Sequence, residues 1–86
     1  MNEPDAFIVT ITNEEHSFEN DMELPSGMPV SELCSQILMV LKDIHEDVFN
    51  GWAKCHLECN NRLLNDNDTL VKAGVFGGSR IVIREG

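Results

Sequence analysis

The sequence has 86 residues, which is enough for one domain and too few for two. Fifteen acidic residues against six basic ones give a formal charge of −9, which disfavours general nucleic-acid binding because both partners would be negative. The longest apolar-rich run, over residues 33–41, is far shorter than the roughly 20 residues of a membrane span. The acidic start has neither the basic nor the apolar region of a secretory signal, so we expect none.

The first half of the sequence predicts a hairpin. Residues 7–12 are rich in β-branched side chains and indicate a strand. Alternation places Phe7, Val9 and Ile11 on one face and Ile8, Thr10 and Thr12 on the other. A polar turn over 13–16 then leads to a second predicted strand over 17–24.

A helix is predicted after the break at residues 25–29, from Ser31 or Glu32 to Ile44. Ser31 is the candidate N-cap, because its hydroxyl can accept from free first-turn amides. Met39 falls on the solvent side. The apolar positions at helical spacing are Val30, Leu33, Cys34, Ile37, Leu38, Val40, Leu41 and Ile44.

The second half predicts further strands and turns, with Trp52 capping the core and Val75-Phe76 forming an apolar plug. In chain order these elements are a loop over 45–51, a strand over 53–59, a turn at Asn60-Asn61, a short strand over 62–64, a helical turn over 69–74, a tight turn at Gly77-Gly78 and a strand over 80–84.

No constellation of residues in the sequence predicts an enzyme, a metal site or a cofactor. The cysteines Cys34, Cys55 and Cys59 are odd in number and indicate reduced thiols. On a strand, Cys55 and Cys59 would lie about 13 Å apart, too far to share one zinc ion. The histidines fall on separate predicted elements, and His56 points away from its neighbour Cys55.

The order of elements resembles that of ubiquitin-like domains. The segment Leu64-x-x-x-x-Thr69-Leu70-x-x-x-Gly74-Val75-x-x-Gly78-x-Arg80-Ile81-x-Ile83 is similar to their last part, where a short helical turn leads into the central strand. The resemblance implies an α+β fold, the β-grasp, in which a single mixed sheet packs on one helix. We expect a disordered N-terminus over residues 1–6 and one ubiquitin-like domain over 7–86.

A narrower resemblance points to the YukD/EsaB family of type VII (WXG100, ESAT-6-type) secretion systems. It is carried by Gly51-Trp52, the Asn60-Asn61 turn and Gly74-Val75-x-x-Gly78-x-Arg80. The family implies a non-catalytic, cytoplasmic interaction module with an accessory or regulatory role. The implied partner is the membrane ATPase or another component of the machinery, with peripheral membrane association through that partner.

Two other functions stay open as alternatives. One is a ubiquitin-like modifier or sulfur carrier, which needs a flexible Gly-Gly tail. Here Glu85 stands in place of the penultimate glycine, and Gly77-Gly78 is expected to be an internal turn, so we expect no conjugation. The other is a ubiquitin-like interaction domain unrelated to secretion.

The face expected to bind a partner is the solvent side of the first, last and third strands. Its predicted residues form a basic rim around an apolar centre of Ile8 and Val82, suited to an acidic and apolar partner surface. The alternative is an ordinary solvated face with long side chains lying along it. A homodimer through an exposed edge strand also stays open. The predicted partner-binding residues are Ile8, Lys54, His56, Arg80, Val82 and Arg84.

Overall fold

The computed structural model describes residues 5–86 and shows a five-stranded mixed sheet with one long helix on one face. The strand order is β2-β1-β5-β3-β4, so the last strand is central. It pairs in parallel with β1 and antiparallel with β3. The elements are β1 (Ala6–Asn13), β2 (Glu19–Pro25), α1 (Val30–Ile44), α2 (Glu46–Phe49), β3 (Cys55–Cys59), β4 (Arg62–Leu63) and β5 (Arg80–Glu85). The predicted α+β sheet-on-helix fold is confirmed.

The core lies between α1 and the inner face of the sheet. The period-two pattern of the strands and the 3.6-residue period of the helix bring their apolar sides together, as expected. Fully buried side chains include Val9 and Ile11 from β1, Leu57 from β3, Ile81 and Ile83 from β5, and Leu33, Ile37 and Leu41 from α1. Trp52 packs edge-to-face on the buried Phe49, with ring centroids 4.8 Å apart.

The beginning of α1 differs from the prediction. The N-cap is Pro29, and the predicted cap Ser31 lies inside the first turn. The free amides of that turn are satisfied from a distant loop instead. The Val30 N–H donates to the Asp68 carbonyl (2.8 Å), and the Ser31 N–H donates to the Asp66 carbonyl (3.2 Å). Those long-range acceptors replace a side-chain cap.

The predicted apolar stripe of α1 also differs from the structure, because part of it is exposed. Val40 and Ile44 are exposed, whereas Leu38 at the edge of the predicted stripe is buried. Cys34 and Leu38 line a cavity together with Cys55, so this side of the helix faces β3. The sheet extends under that side and leaves the Val40 side open. Met39 is exposed, as expected.

Smaller corrections concern the boundaries. Residues 46–49, expected in a loop, form α2, and β3 begins at Cys55. Ala6 begins β1, one residue before the predicted strand, and the Asp5 carbonyl accepts from the Ser26 N–H (2.9 Å). Residues 1–4 of the expected disordered N-terminus lie outside the described residues. Val75 is buried but Phe76 is exposed, so only half of the predicted plug enters the core.

Candidate protein-binding face

The outer sheet face is the side of β1, β5 and β3 that faces away from α1. Strand pairing fixes its layout: Thr12 lies opposite Val82, Val82 lies opposite Glu58, and Arg84 lies opposite His56. Lys54 precedes β3, and its carbonyl accepts from the Gly86 N–H at 3.1 Å. The structure therefore brings together five of the six predicted residues, namely Lys54, His56, Arg80, Val82 and Arg84.

Ile8 does not lie beside Val82, and the predicted apolar centre is not formed. The register places Thr10 opposite Arg80 and Thr12 opposite Val82, so Ile8 lies four residues back along β1. That distance is about 13 Å along a strand. Ile8 lies where β5 has not yet begun, and its carbonyl accepts from the Gly78 N–H at 2.9 Å. The sequence predicts which residues of one strand share a face, but it does not predict the register of that strand against its neighbour.

The two arginines of the outer sheet face are engaged in ion pairs. Arg80 pairs with Glu19 on β2 at 3.0 Å. Arg84 donates from Nε and Nη2 to the two Glu58 carboxylate oxygens, at 2.9 and 3.2 Å, and also pairs with Glu14. The predicted basic rim is therefore largely neutralised by the protein's own carboxylates. Among residues 5–86, Lys54 is the cation of this face without an ion pair.

These ion pairs shift the pKa values of Glu19, Arg80 and Arg84. The hydrogen bond and the charge of Arg80 hold the pKa of Glu19 below its ordinary value. The hydrogen bond with Glu58 raises the pKa of Arg84 above its ordinary value. The Glu58 side chain is only 15% exposed, so this pair is more sheltered from water than the other two.

Sequence reasoning did not identify Glu14 and Glu19 as parts of this face. Glu14 follows Asn13, which pairs with Ile83, so the end of β1 delivers a carboxylate beside Arg84. Glu19 pairs with Thr12 across the hairpin and reaches Arg80 on the far side of β1. The excess of acidic residues in the first half of the sequence is the signal that could have indicated ion pairs with the basic residues of the second half.

The polar side chain of Thr12 is not available to a partner. It belongs to the outer sheet face but is fully buried, and its hydroxyl donates to the Phe18 carbonyl at 2.8 Å. The residues that lead into β2 cover it. This part of the face is closed by the protein itself.

The cysteine thiols lie inside the fold. Cys34, Cys55 and Cys59 are all buried, and the Cys55 thiol donates to the Cys34 carbonyl at 3.4 Å. The pKa of Cys55 is raised, first by its hydrogen bond with the Cys34 side chain and then by burial, and burial raises the pKa of Cys59. Over residues 5–86, no cluster of three or more His, Cys, Asp or Glu side chains could hold a metal ion.

Comparisons with known proteins show the family and the fold of this chain. The family described as "WXG100 protein secretion system (Wss), protein YukD" matches residues 7–83. The search of curated proteins found no match. No helix within residues 5–86 is both long and apolar enough to cross a bilayer.

Several solved structures share the fold. The EccD5 ubiquitin-like domain from Mycobacterium xenopi has a TM-score of 0.76 at 19% identity, with 94% of each chain covered. A chain of the MycP5-free ESX-5 inner membrane complex has a TM-score of 0.77 at 22% identity, over 94% of this chain but only 21% of that one. Caldiarchaeum subterraneum ubiquitin has a TM-score of 0.67 at 19% identity, covering 91% and 90%. The fold is that of ubiquitin, and the chain belongs to the YukD family of the WXG100 protein secretion system.

Proposed function

We propose that this chain is a non-catalytic ubiquitin-like module that binds a protein component of a type VII secretion system without being conjugated to it. The observation that carries the proposal is the family match over residues 7–83. The neighbour in an ESX-5 inner membrane complex supports a partner within the membrane machinery, with peripheral association through that partner. The three free cysteines fit a reducing, cytoplasmic location.

A non-catalytic role is supported by the placement of the reactive side chains. A nucleophilic cysteine needs both a lowered pKa and access to substrate. Cys55 and Cys59 are buried with raised pKa values, and Cys34, whose pKa is lowered by its hydrogen bond with the Cys55 side chain, is also buried. His45 Nε2 lies 2.8 Å from the Asn20 side-chain oxygen, and His56 lies on a separate strand. Within residues 5–86, His45 and His56 therefore lie on separate elements, and neither is hydrogen-bonded to a cysteine thiol.

Binding without conjugation is supported by the position of Gly77-Gly78. These residues form a turn directly before β5, with the Ser79 N–H donating to the Phe76 carbonyl at 3.1 Å. Processing at this Gly-Gly pair would remove β5, which pairs with both β1 and β3. Cleavage here would therefore destroy the sheet rather than expose a reactive tail.

We propose the outer sheet face as the binding surface, through Ile8, Lys54, His56, Arg80, Val82 and Arg84. Its exposed cation Lys54 lies beside the charge-paired Arg84, and Val82 is half-buried between them and β1. An acidic partner can bind Lys54 directly and can compete with Glu14 for Arg84. The surface is complementary to a partner surface that combines apolar and acidic groups, rather than to a strongly acidic surface.

The test is export of WXG100 proteins by the native host after deletion of the gene. We expect export to change on deletion and to be restored by the wild-type chain, but not by a Lys54→Glu/Val82→Ser variant. The matched control is Lys72→Glu, because Lys72 is an exposed lysine on the turn that precedes β5. Unchanged export on deletion would contradict a secretion role. Full rescue by a folded Lys54→Glu/Val82→Ser variant would contradict this binding surface.

A further inference from the structure

Two exposed apolar side chains lie together at the end of the sheet where β5 has not yet begun. Ile8 on β1 is 58% exposed, and Phe76 in the loop before β5 is 64% exposed. Both line an open cavity of about 830 Å³ that also includes Val71, Val75 and the Gly77-Gly78 turn. Large apolar groups that remain exposed around a concavity mark binding sites more often than singly scattered ones do.

The cavity is held in shape by backbone hydrogen bonds. The Phe76 N–H donates to Ser79 Oγ at 3.2 Å, and the Ser79 N–H donates back to the Phe76 carbonyl at 3.1 Å. The Gly78 N–H donates to the Ile8 carbonyl at 2.9 Å, which joins the loop to β1. The floor is the buried Val75. Phe76 is thus presented to solvent by an ordered turn, which lowers the entropy cost of binding.

The rim of the cavity is acidic. Strand pairing places Glu23 opposite Ile8 and Asp21 opposite Thr10, and all four residues line the cavity. Asp21 Oδ1 accepts from the Thr10 hydroxyl at 2.8 Å, which fixes the orientation of its carboxylate. Within residues 5–86, neither Asp21 nor Glu23 has a cation at ion-pair distance, in contrast to Glu14, Glu19 and Glu58.

We propose that this cavity is a second docking site, which binds a protein segment that presents a large apolar side chain next to lysine or arginine. The apolar floor and Phe76 bind the anchor side chain, and the rim carboxylates bind the flanking cations. A second copy of this chain is a poor occupant, because each copy carries a formal charge of −9. Among the described residues, the site shares Ile8 and Thr10 with the outer sheet face and lies beyond the start of β5, so it does not depend on the function proposed above.

The test uses the isotope-labelled full chain and two blocked hexapeptides. The first, Gly-Lys-Phe-Leu-Lys-Gly, has the proposed chemistry, and the second has glutamate in place of both lysines. We expect the lysine peptide to give saturable amide shifts at Ile8, Glu23, Phe76 and Gly78, and to bind at least about fivefold more tightly than the glutamate peptide. No saturable shift, shifts centred elsewhere, or equal binding of both peptides would overturn the proposal.

Two variants test separately the contribution of Phe76 and that of the rim carboxylate Glu23 to peptide binding. Phe76→Ser should weaken binding of the lysine peptide about tenfold, and Glu23→Gln about threefold, because each removes one of the two recognition elements. Leu63→Ser is the control, since Leu63 on β4 is 60% exposed and lies outside the cavity. Full binding by a folded Phe76→Ser variant, or an equal loss with Leu63→Ser, would overturn the proposal.

Two further measurements address other occupants. Light scattering should show a monomer, and a dimer lost in Phe76→Ser would mean that a second copy fills the cavity. A chain that begins at Asp5 should bind the lysine peptide as the full chain does. Binding only by the shortened chain would mean that residues 1–4 occupy the cavity. Either of these contrary results would overturn the proposal.

Discussion

At the scale of single residues, the Arg84–Glu58 pair links the central strand to its neighbour on the outer sheet face. Glu58 accepts two hydrogen bonds from the guanidinium, and its side chain is 15% exposed against 39% for Arg84. A carboxylate this sheltered has little water to replace a lost partner. The side chains of Arg80 and Glu19 are 52% and 55% exposed, so we expect this pair to stabilise the fold less than the Arg84–Glu58 pair does.

Replacing Glu58 therefore has a measurable effect on stability. We expect Glu58→Gln to lower the free energy of unfolding by about 1 kcal/mol, because Arg84 loses its two-point partner. Urea denaturation at neutral pH measures the change. Glu15→Gln is the control, since Glu15 is exposed and has no ion pair within residues 5–86, and it should change stability by less than about 0.5 kcal/mol. Equal effects of both variants would contradict the pairing.

The Arg80–Glu19 pair makes a prediction about pH. Because the folded-state pKa of Glu19 is lowered, the pair stabilises the fold above the ordinary glutamate pKa and is lost as pH falls through the lowered value. We expect Arg80→Gln to return the pKa of Glu19 toward its ordinary value, as measured by NMR titration of the side-chain carboxyl. The stability difference between the wild type and this variant should shrink as the solution is acidified. An unchanged Glu19 titration would refute the pair in solution.

At the scale of elements, the sequence indicates which segments form strands and helix, because periodicity and turn residues are local signals. The ends of the elements depend on contacts that no local signal carries. Ser31 has the chemistry of an N-cap, yet the carbonyls of Asp66 and Asp68 satisfy the first amides of α1. Val40 and Ile44 have the spacing of core residues, yet they are exposed, because the periodicity does not tell how far the sheet extends beneath the helix.

The unexpected start of α1 gives a direct prediction. We expect Ser31→Ala to change the free energy of unfolding by less than about 0.5 kcal/mol, whereas loss of a true N-cap costs about 1 kcal/mol. Thermal or urea denaturation distinguishes the two values. A loss of about 1 kcal/mol or more would mean that Ser31 caps the helix in solution.

The helical turn that ends at Gly74 depends on that glycine. Gly74 has a φ of +80°, and the Val75 N–H after it donates to the Leu70 carbonyl at 2.9 Å. We expect Gly74→Ala to destabilise the fold by about 1 kcal/mol, because an L-residue is strained there even though its Cβ meets open space. Gly27→Ala is the matched control: its Cβ also meets open space, but its φ is not in the left-handed region. Equal unfolding midpoints for the two variants would contradict this explanation.

At the scale of the whole molecule, the sequence shows a charge imbalance between its halves, and the fold brings two carboxylates of the acidic half to arginines of the other half. Residues 1–47 hold eleven acids and one base, and residues 48–86 hold four acids and five bases. Since β5 pairs with β1, Arg80 and Arg84 from the second half meet Glu19 and Glu14 from the first. The sequence could place the basic residues on one face but not show that they would be neutralised there. It also could not reveal the cavity, since Ile8 and Phe76 are 68 residues apart and meet only in the fold.

Non-covalent binding of this chain to secretion machinery is tested by purifying the tagged chain from its native host. The purification is run once under native conditions and once after boiling in denaturant, and the co-purified proteins are identified. We expect a type VII secretion component to co-purify in the native sample and to be absent from the denatured one. Adducts of the chain that survive denaturation would contradict binding without conjugation, and a native sample free of secretion components would contradict the assignment of the partner.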